Sequence, residues 1–417
     1  MTMKIHIQDF SGHPFQAQLS RALAARGHTV EHSYASQYVS GKGALERRAG
    51  DPAALSFLPI TADRPMIKYS IPARLRFERS YVKSLAGAVV RSRPDVVVLT
   101  NVPLMTLSAV RKILARQGIP VVLWHQDLFA VAMAKELHKQ LPDPVARVLA
   151  AELRRREKTI VERVAAVVPI DRSFVTEYRR WGIQRSGIHV VPNWAPLDEI
   201  KPVQRDNGWS RRNGLRTSAF RLVYSGTLGR KHNPLLLLDL LDATKARDVD
   251  AELTVVSEGE GADMVAEAAT GRSDVRVLPF QPAADLPAVL GSADALVAIL
   301  EPLAGTFSVP SKVLSYLAAG RPVLGLMPEG NAASRDLVEA GGFVGSPDEV
   351  GVELAADWVK SLDGDPSELD RLCGQARDLA EARFDIGPIS AEFERIAFLA
   401  AGRRSSDAGE LAAKSAR

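Results

Sequence analysis

The chain has 417 residues and a mass of 45.2 kDa, which exceeds one ordinary hydrophobic core and predicts two domains. Hydrophobic residues make up 46% and charged residues 24%, a balance that excludes an intrinsically disordered protein. A single cysteine, Cys373, excludes an intrachain disulfide framework and a cysteine-based zinc site. Its first residues, MTMKIHIQDF, lack the pattern of a signal peptide, so we expect a cytoplasmic protein.

Charge is divided unevenly along the chain. Residues 1–200 carry 29 Lys and Arg against 17 Asp and Glu, whereas residues 201–417 carry 24 against 32. The basic half is consistent with an ordinary solvated surface, and equally with attraction to an anionic membrane or a phosphate-bearing acceptor. It lacks interleaved aromatic residues and any nucleic-acid motif, so we do not expect it to bind nucleic acid.

From the N-terminus, short strands alternate with amphipathic helices. The strand-like runs are MKIHIQDF, HTVEHSY, DVVVLTN, VVLWHQD and VAAVVPI, and the first helix-like run is FQAQLSRALAARGH. Residues 36–73 lack a clear period and predict a long functional loop. Strands rich in Val and Ile, separated by helices, favour a parallel sheet with helices on both faces.

The same pattern restarts after the proline-rich stretch IHVVPNWAPLDEI, a predicted linker. The later strand-like runs are FRLVYSG, ELTVVSEG, VRVLPF, DALVAIL, RPVLGLM and FVG. The sequence therefore predicts an α/β protein of two Rossmann-like, doubly wound domains, residues 1–195 and 196–385, that face a cleft. Residues 386–402 predict an amphipathic helix that could return to the N-terminal domain, and residues 403–417 a polar tail.

Several motifs of common enzyme classes are missing. FSGHPF follows the first strand in place of a dinucleotide fingerprint, and the chain has no P-loop. Its eight histidines include no helical pair at metal-binding spacing, and there is no nucleophile elbow. Hydride transfer, ATP hydrolysis and zinc-dependent hydrolysis therefore lose their strongest sequence signals.

Two strand-to-helix turns of the C-terminal half carry the remaining chemistry. In YSGTLGRKHNP, Gly226 permits close backbone approach and is followed by Arg230 and Lys231, two cations suited to a diphosphate. In VPSKVLSYLAAGRPV, Ser311 is a plausible cap of a helix whose free N–H groups would attract an anion, and Lys312 adds a charge. Solvated surface turns would explain either segment alone, but both together favour a phosphate site.

Read in order, these segments resemble a known family. HVVPNW, LVYSGTLGRK, VVSEGEG, PFQPAADLPAVLGSADALV and VPSKVLSYLAAGRPVL resemble the retaining glycosyltransferases of family 4, which have the GT-B fold. WHQDLFAVAM also resembles a stretch of the branch that builds exopolysaccharide and capsule repeat units on lipid carriers. The resemblance spans most of residues 80–400 with its motifs in fixed order.

The resemblance implies a nucleotide-diphosphate sugar as donor and a lipid-linked or glycan acceptor, without a bound metal or other cofactor. The residues that it assigns to the donor are Gly226, Arg230, Lys231, Glu258, Phe280, Ser311, Lys312, Val313 and Ser315. The N–H groups of residues 311–313 would hold the distal phosphate, and Phe280 with Glu258 would frame the nucleoside.

The resemblance also implies residues that meet the reacting sugar and the acceptor. His125, Asp127 and Lys231 are the catalytic candidates, and Gly12 with His13 would meet the acceptor. A lone histidine after a strand is as often a buried packing residue, so that alternative stays open for His125.

The chain departs from the family at one place. Many members carry two glutamates around the second turn, where this chain has Phe307 and Ser315. The departure leaves the identity of the donor sugar open. Two alternatives stay open. One is a catalytically inactive carbohydrate- or nucleotide-binding protein, which the departure makes plausible. The other is a sugar-nucleotide epimerase of the same fold, against which the missing carboxylates argue.

Two basic helices in the N-terminal half are candidates for contact with a membrane surface. They lie in IPARLRFERSYVKSLAGAVVRSR and VARVLAAELRRREKTIVERV. The glutamates of the second favour a solvated helix face, so we expect membrane contact, if any, from the first.

Overall fold

A computed structural model describes residues 1–38, 43–66, 71–229, 233–300 and 310–402. The chain forms two compact units, one of Met1–Asn193 with the segment from Ile386 onward, the other of Trp194–Asp385. The division falls inside the proline-rich stretch that the sequence predicts as a linker. The C-terminal segment belongs to the first unit, so the chain enters and leaves the second unit once each.

The first unit contains a six-stranded parallel sheet with helices packed against it. Its strands are β1 (Lys4–Asp9), β2 (Thr29–Ala35), β3 (Leu55–Ile60), β4 (Val96–Thr100), β5 (Val121–His125) and β6 (Ala166–Pro169). Its helices are α1 (Pro14–Ala25), α2 (Ile71–Ser92), α3 (Leu104–Arg116), α4 (Phe129–Gln140), α5 (Asp143–Arg163) and α6 (Arg172–Arg180). The strand order β3-β2-β1-β4-β5-β6 is that of a Rossmann fold.

One strand of this sheet corrects the sequence-based prediction. Residues 36–73 were expected to form a loop, but Leu55–Ile60 forms β3, which pairs in parallel with β2. β3 is an edge strand, and its segment LSFLPI contains Pro59 and exposes Leu58. An edge position tolerates a proline and requires no continuous apolar run, which explains why the strand signal is weak.

The second unit repeats this architecture. Its strands are β7 (Phe220–Ser225), β8 (Ala251–Val256), β9 (Val275–Leu278), β10 (Ala295–Ile299), β11 (Val323–Leu326) and β12 (Phe343–Gly345). Its helices are α7 (Gly208–Arg212), α8 (Leu236–Lys245), α9 (Glu260–Ala268), α10 (Leu286–Gly291), α11 (Lys312–Ala318), α12 (Ala332–Glu339), α13 (Glu349–Asp363) and α14 (Pro366–Arg383). The order β12-β11-β10-β7-β8-β9 reverses direction between β7 and β10. The fold is thus two Rossmann-like domains, as the sequence predicts.

The last helix, α15 (Ile386–Ala400), packs on the first unit. Phe393 lies edge-on against Trp124 of β5, with ring centroids 4.9 Å apart. Arg26, just after α1, donates to Glu394, which also bonds with His28 at 2.7 Å. Across the residues described, no helix combines the length and the apolar content needed to cross a bilayer.

Replacing Phe393 with alanine should destabilise the first unit by about 3–5 kcal/mol, because the change opens a cavity against Trp124. Chemical denaturation followed by tryptophan fluorescence measures the effect. Leu399→Ala is the matched control, since Leu399 lies on the same helix and is exposed; it should change stability by no more than about 0.5 kcal/mol. Equal effects of the two variants would contradict the packing of α15.

Candidate functional sites in the two units

A pocket of about 330 Å³ opens at the carboxyl ends of the strands in the second unit. Open α/β sheets bind ligands at this edge, beside the point where strand order reverses. Its lining residues are Ser225, Gly226, Val256, Phe280, Gln281, Ala283, Leu286, Val289, Leu290, Lys312, Ser315 and Tyr316. Four of the predicted donor-site residues, Gly226, Phe280, Lys312 and Ser315, thus share one pocket.

Lys312 supplies the pocket's positive charge. Its ammonium donates to the Tyr224 hydroxyl, lies 3.9 Å from the centre of that ring, and is 3.5 Å from the carbonyl oxygen of Thr227. These partners are neutral, and burial lowers the pKa of Lys312 to about 7. A cation held by neutral groups in a pocket is suited to pair with an anionic ligand.

The floor of the pocket depends on Tyr316. β7 pairs with β10 at Leu222 and Val223. Further along β7, the Tyr316 hydroxyl forms hydrogen bonds with Ser225. It accepts from the Ser225 N–H at 2.9 Å and donates to the Ser225 carbonyl at 2.8 Å. One buried side chain therefore satisfies both backbone groups of Ser225 where the two strands separate.

Two glycines allow the loop after β7 to approach its neighbours. Gly226 has φ of 136°, and a Cβ there would lie 3.3 Å from Cε of Lys312. At Gly261, a Cβ would lie 2.3 Å from the carbonyl oxygen of Leu228, which accepts from the Gly261 N–H at 3.1 Å. The loop therefore runs between the starts of α9 and α11.

The pocket also has several apolar lining residues. Phe280 is 47% exposed, and its N–H donates to the carboxylate of Glu258 at 3.0 Å. Leu286, Val289 and Leu290 add apolar side chains to the lining. Glu258 does not line the pocket itself, but it fixes the backbone of Phe280, which does.

The start of α11 differs from the prediction in two ways. Ser311 has helical backbone angles, φ −59° and ψ −22°, and its side chain makes no capping bond. The Val313 N–H donates to the Pro310 carbonyl at 3.1 Å, so it is not free to bind a phosphate as expected. Because the tight first turn uses the Val313 N–H in an internal hydrogen bond, the Lys312 ammonium is a stronger candidate for binding an anion than this N–H group.

Arg230, Lys231 and Phe307 lie outside the described residues. The loop leading to Arg230 is described as far as Gly229, and at Thr227 it contacts Lys312. Ser315 lines the pocket, at a position where many family members carry a glutamate.

In the first unit, His125 at the end of β5 is buried with both ring nitrogens bonded. Nε2 is 2.9 Å from Glu157, and Nδ1 is 2.5 Å from the hydroxyl of Tyr178, whose ring stacks on the imidazole. Glu157 also accepts from the N–H groups of Phe129 and Ala130 at the start of α4. The geometry favours the packing interpretation of His125, in which the histidine positions the loop between β5 and α4.

Within that loop, Gln126 and Asp127 differ in their surroundings. Gln126 exchanges two amide hydrogen bonds with Asn193, at 3.0 and 2.9 Å. Asp127 is exposed. Of the catalytic candidates His125 and Asp127, only Asp127 has a side chain that faces solvent.

Gly12 and His13 lie in the turn after β1. Gly12 has φ of 74°, and the His13 N–H donates to Asp9 at 2.5 Å. The other carboxylate oxygen of Asp9 accepts from the Ser11 N–H and from the Asn101 side chain beyond β4. Burial raises the pKa of Asp9 despite these bonds. Asp9 therefore ties together the ends of β1 and β4, the reversal point of this sheet.

The two units match two family models. A "Glycosyl transferase 4-like domain" matches residues 13–194, and "Glycosyl transferases group 1" matches residues 219–361. The chain is a family 4 glycosyltransferase of the GT-B type. No curated protein sequence matches this glycosyltransferase significantly.

Solved structures with this fold include three that nearly span both chains. Sucrose-phosphate synthase from Thermosynechococcus elongatus is 14% identical, with a TM-score of 0.70 over 94% of this chain and 98% of that one. HepE of Anabaena, in complex with UDP-glucose, is 16% identical, with a TM-score of 0.67 over 94% and 98%. A glycosyltransferase from Rickettsia africae is 12% identical, with a TM-score of 0.70 over 96% and 98%. At such identities the likeness establishes the shared fold.

Sequence reasoning missed the residues that support these sites. Tyr224 and Tyr316 in the second unit, and Asp9, Asn101 and Glu157 in the first, read as ordinary strand or helix residues. Asn101 has φ of 52°, which is unusual for a residue other than glycine, but no sequence pattern marks it. Only the fold brings these side chains to the strand ends.

Replacing Tyr316 with phenylalanine should destabilise the second unit by about 1–3 kcal/mol, because the buried backbone groups of Ser225 lose their partner. The unfolding midpoint measured by circular dichroism checks this value. Ser315→Ala is the adjacent control and should leave stability within about 0.5 kcal/mol of wild type. A Tyr316→Phe variant as stable as this control would show that the hydroxyl contributes nothing.

Proposed function

We propose that this glycosyltransferase moves a sugar from a nucleoside-diphosphate sugar to a lipid-linked or glycan acceptor, with retention of anomeric configuration. The observation that carries the proposal is the pocket in which Lys312 meets the loop after β7. It combines a cation without an acidic partner among the described residues, a glycine that admits close approach, and apolar lining residues. Those three features suit, in turn, a diphosphate, its backbone contacts and a nucleobase.

The donor would lie with its diphosphate against Lys312 and Gly226 and its base against Phe280. Arg230 and Lys231 follow the described part of that loop, so they are proposed to complete the cationic side. We propose that these cations, rather than a metal ion, neutralise the departing diphosphate. HepE, a structural neighbour, is in complex with UDP-glucose, which makes a uridine nucleotide the first donor to test.

In the proposed reaction the bond between the anomeric carbon and the phosphate oxygen breaks while the acceptor oxygen attacks the same face. The acceptor's hydroxyl proton passes to the leaving phosphate oxygen. Negative charge grows on the diphosphate as an oxocarbenium-like centre forms, so preorganised cations contribute most in the transition state. Asp127 is exposed and remains a candidate for contact with the sugar or acceptor, while His125 would act by positioning its loop.

The acceptor is proposed to meet the first unit near Gly12 and His13. We also propose that the enzyme works at the cytoplasmic surface of an anionic membrane, where a lipid-linked acceptor would be found. The excess of cations in residues 1–200 supports this location.

A thermal-shift panel of UDP, GDP, dTDP and their sugars tests the donor assignment, since a ligand that binds only the folded state raises its stability. We expect one nucleotide series to raise the melting temperature. Proton NMR of the product then reports anomeric configuration. An inverted product would refute retention, and no shift with any nucleotide would refute the donor site.

Lys231→Ala should lower turnover at saturating donor at least tenfold, because a charge-assisted contact is worth about 1.5–3 kcal/mol. The rate of sugar transfer measures the effect. Lys201→Ala removes an exposed lysine of the same unit and should leave the rate unchanged. Near-normal turnover of Lys231→Ala would contradict its assignment to the diphosphate.

Donor affinity should weaken as pH rises. The free Lys312 ammonium loses its proton above a pKa of about 7, whereas a bound diphosphate favours the protonated form. Affinity for a UDP-sugar should therefore fall by up to about tenfold per pH unit above 7, measured by calorimetry between pH 6.5 and 8.5.

Lys312→Met should bind weakly and show little of this pH dependence, whereas Lys201→Met should behave as wild type. A wild-type affinity that stays constant across the range would exclude Lys312 as the group that meets the diphosphate.

A further inference from the structure

Two helices of the first unit form a hairpin whose far end exposes apolar side chains. The hairpin consists of α4 and α5, joined by Leu141 and Pro142. Along α5, Val145 is 48% exposed, Val148 69% and Leu149 42%, while Met133 of α4 is 44% exposed. The first half of α5 buries only Ala146. A surface helix normally packs its apolar side chains against a core, so this stripe lacks a partner within the unit.

The exposed end projects beyond the sheet. The N–H of Ala165, just after α5, donates to Val121 at the start of β5, whereas Glu157 contacts His125 at the end of β5. Fourteen residues of α5 precede Glu157, and at 1.5 Å per residue they extend about 20 Å past this level. They leave the sheet at its carboxyl edge, the same edge that carries the turn with Gly12 and His13.

The projecting end is basic. Residues 129–156 hold six Lys and Arg against three Asp and Glu. Asp143 pairs with Arg147 and His138, and Glu152 pairs with Arg155 and Arg156. Lys139 and Arg154 are exposed and have no acidic partner among the described residues. The projecting part of the hairpin thus carries a net positive charge, and Lys139 lies at its end.

The other basic helix, α2, does not offer such a stripe. Its apolar residues Phe77, Tyr81, Leu85 and Val89 are fully buried in the first unit. Leu75 is its one large apolar side chain with substantial exposure among those described. The packing therefore leaves α2 without an exposed apolar stripe among the described residues.

We propose that the hairpin end, defined by Val145, Val148, Leu149 and Lys139, docks on the surface of an anionic lipid bilayer. The valines and leucine would enter the interfacial region while the lysine meets lipid phosphates. Docking there would bring the carboxyl edge of the sheet, with the turn that contains Gly12 and His13, toward the bilayer. The inference rests on the proposed use of a lipid-linked acceptor. A second copy of the chain is a poorer occupant, since two such basic patches repel each other.

Flotation of the full chain with vesicles tests the proposal. Vesicles of phosphatidylcholine alone are compared with vesicles containing 30% phosphatidylglycerol, at low and high salt. The double variant Val145→Asp and Val148→Asp places two carboxylates in the stripe. Its matched control, Val338→Asp and Val350→Asp, alters two valines of the second unit that are also largely exposed. Leu75→Asp serves as the control on α2.

We expect wild type and both controls to float with anionic vesicles, with binding reduced by salt because exposed charges are screened. The hairpin variant should bind at least tenfold more weakly while keeping its melting temperature and its transfer to a water-soluble acceptor. Equal binding of the hairpin variant and wild type would overturn the proposal, as would a variant that becomes monomeric from an oligomeric wild type. A wild-type protein that transfers sugar but does not float with anionic vesicles would overturn the proposal too. A wild-type protein that transfers sugar to no acceptor would overturn the proposed function instead.

Discussion

The candidate donor site depends on the contacts of the Lys312 ammonium with the Tyr224 ring and the Thr227 carbonyl. They join the first residue of α11 to the loop after β7 and place the cation at the pocket wall. A lysine in this setting loses much of its hydration, so its charge is costly until an anion arrives. The same desolvation that lowers its pKa strengthens its attraction to a diphosphate.

In both units a buried side chain makes hydrogen bonds at the point where strand order reverses. Neighbouring strands separate there, and their last backbone groups lose a ladder partner. In the second unit Tyr316 serves Ser225, and in the first Asp9 links the turn after β1 to Asn101 beyond β4. In the second unit the pocket beside Ser225 is therefore open, while the backbone at its edge stays hydrogen-bonded. That is the requirement for a preorganised binding site.

The sequence predicts the fold well because buried parallel strands are continuous apolar runs, as in β4 and β10. It missed β3, whose edge position weakens the pattern. Glycines and Lys312 could be assigned to the pocket because turns after strands have recognisable residue types. The supporting tyrosines, Asn101 and Glu157 could not, since their partners are distant in sequence. Ser311 and Val313 were assigned to phosphate binding by position, but a tight first turn uses the Val313 N–H internally.

The hairpin illustrates a different limit. Its two helices are visible in the sequence, but periodicity alone does not tell a helix that packs from one that projects. α2 and α5 both alternate charges with apolar residues, and only the structure shows that α2 buries its apolar side while the first half of α5 does not.

The most direct test of the central claim is NMR titration of lysine side chains labelled at Nζ, with Lys312 assigned from its loss in the Lys312→Met spectrum. Lys312 should titrate near pH 7 in the free protein, and a saturating UDP-sugar should raise this pKa. A pKa that stays the same when the pocket is occupied would show that the ammonium does not meet the diphosphate.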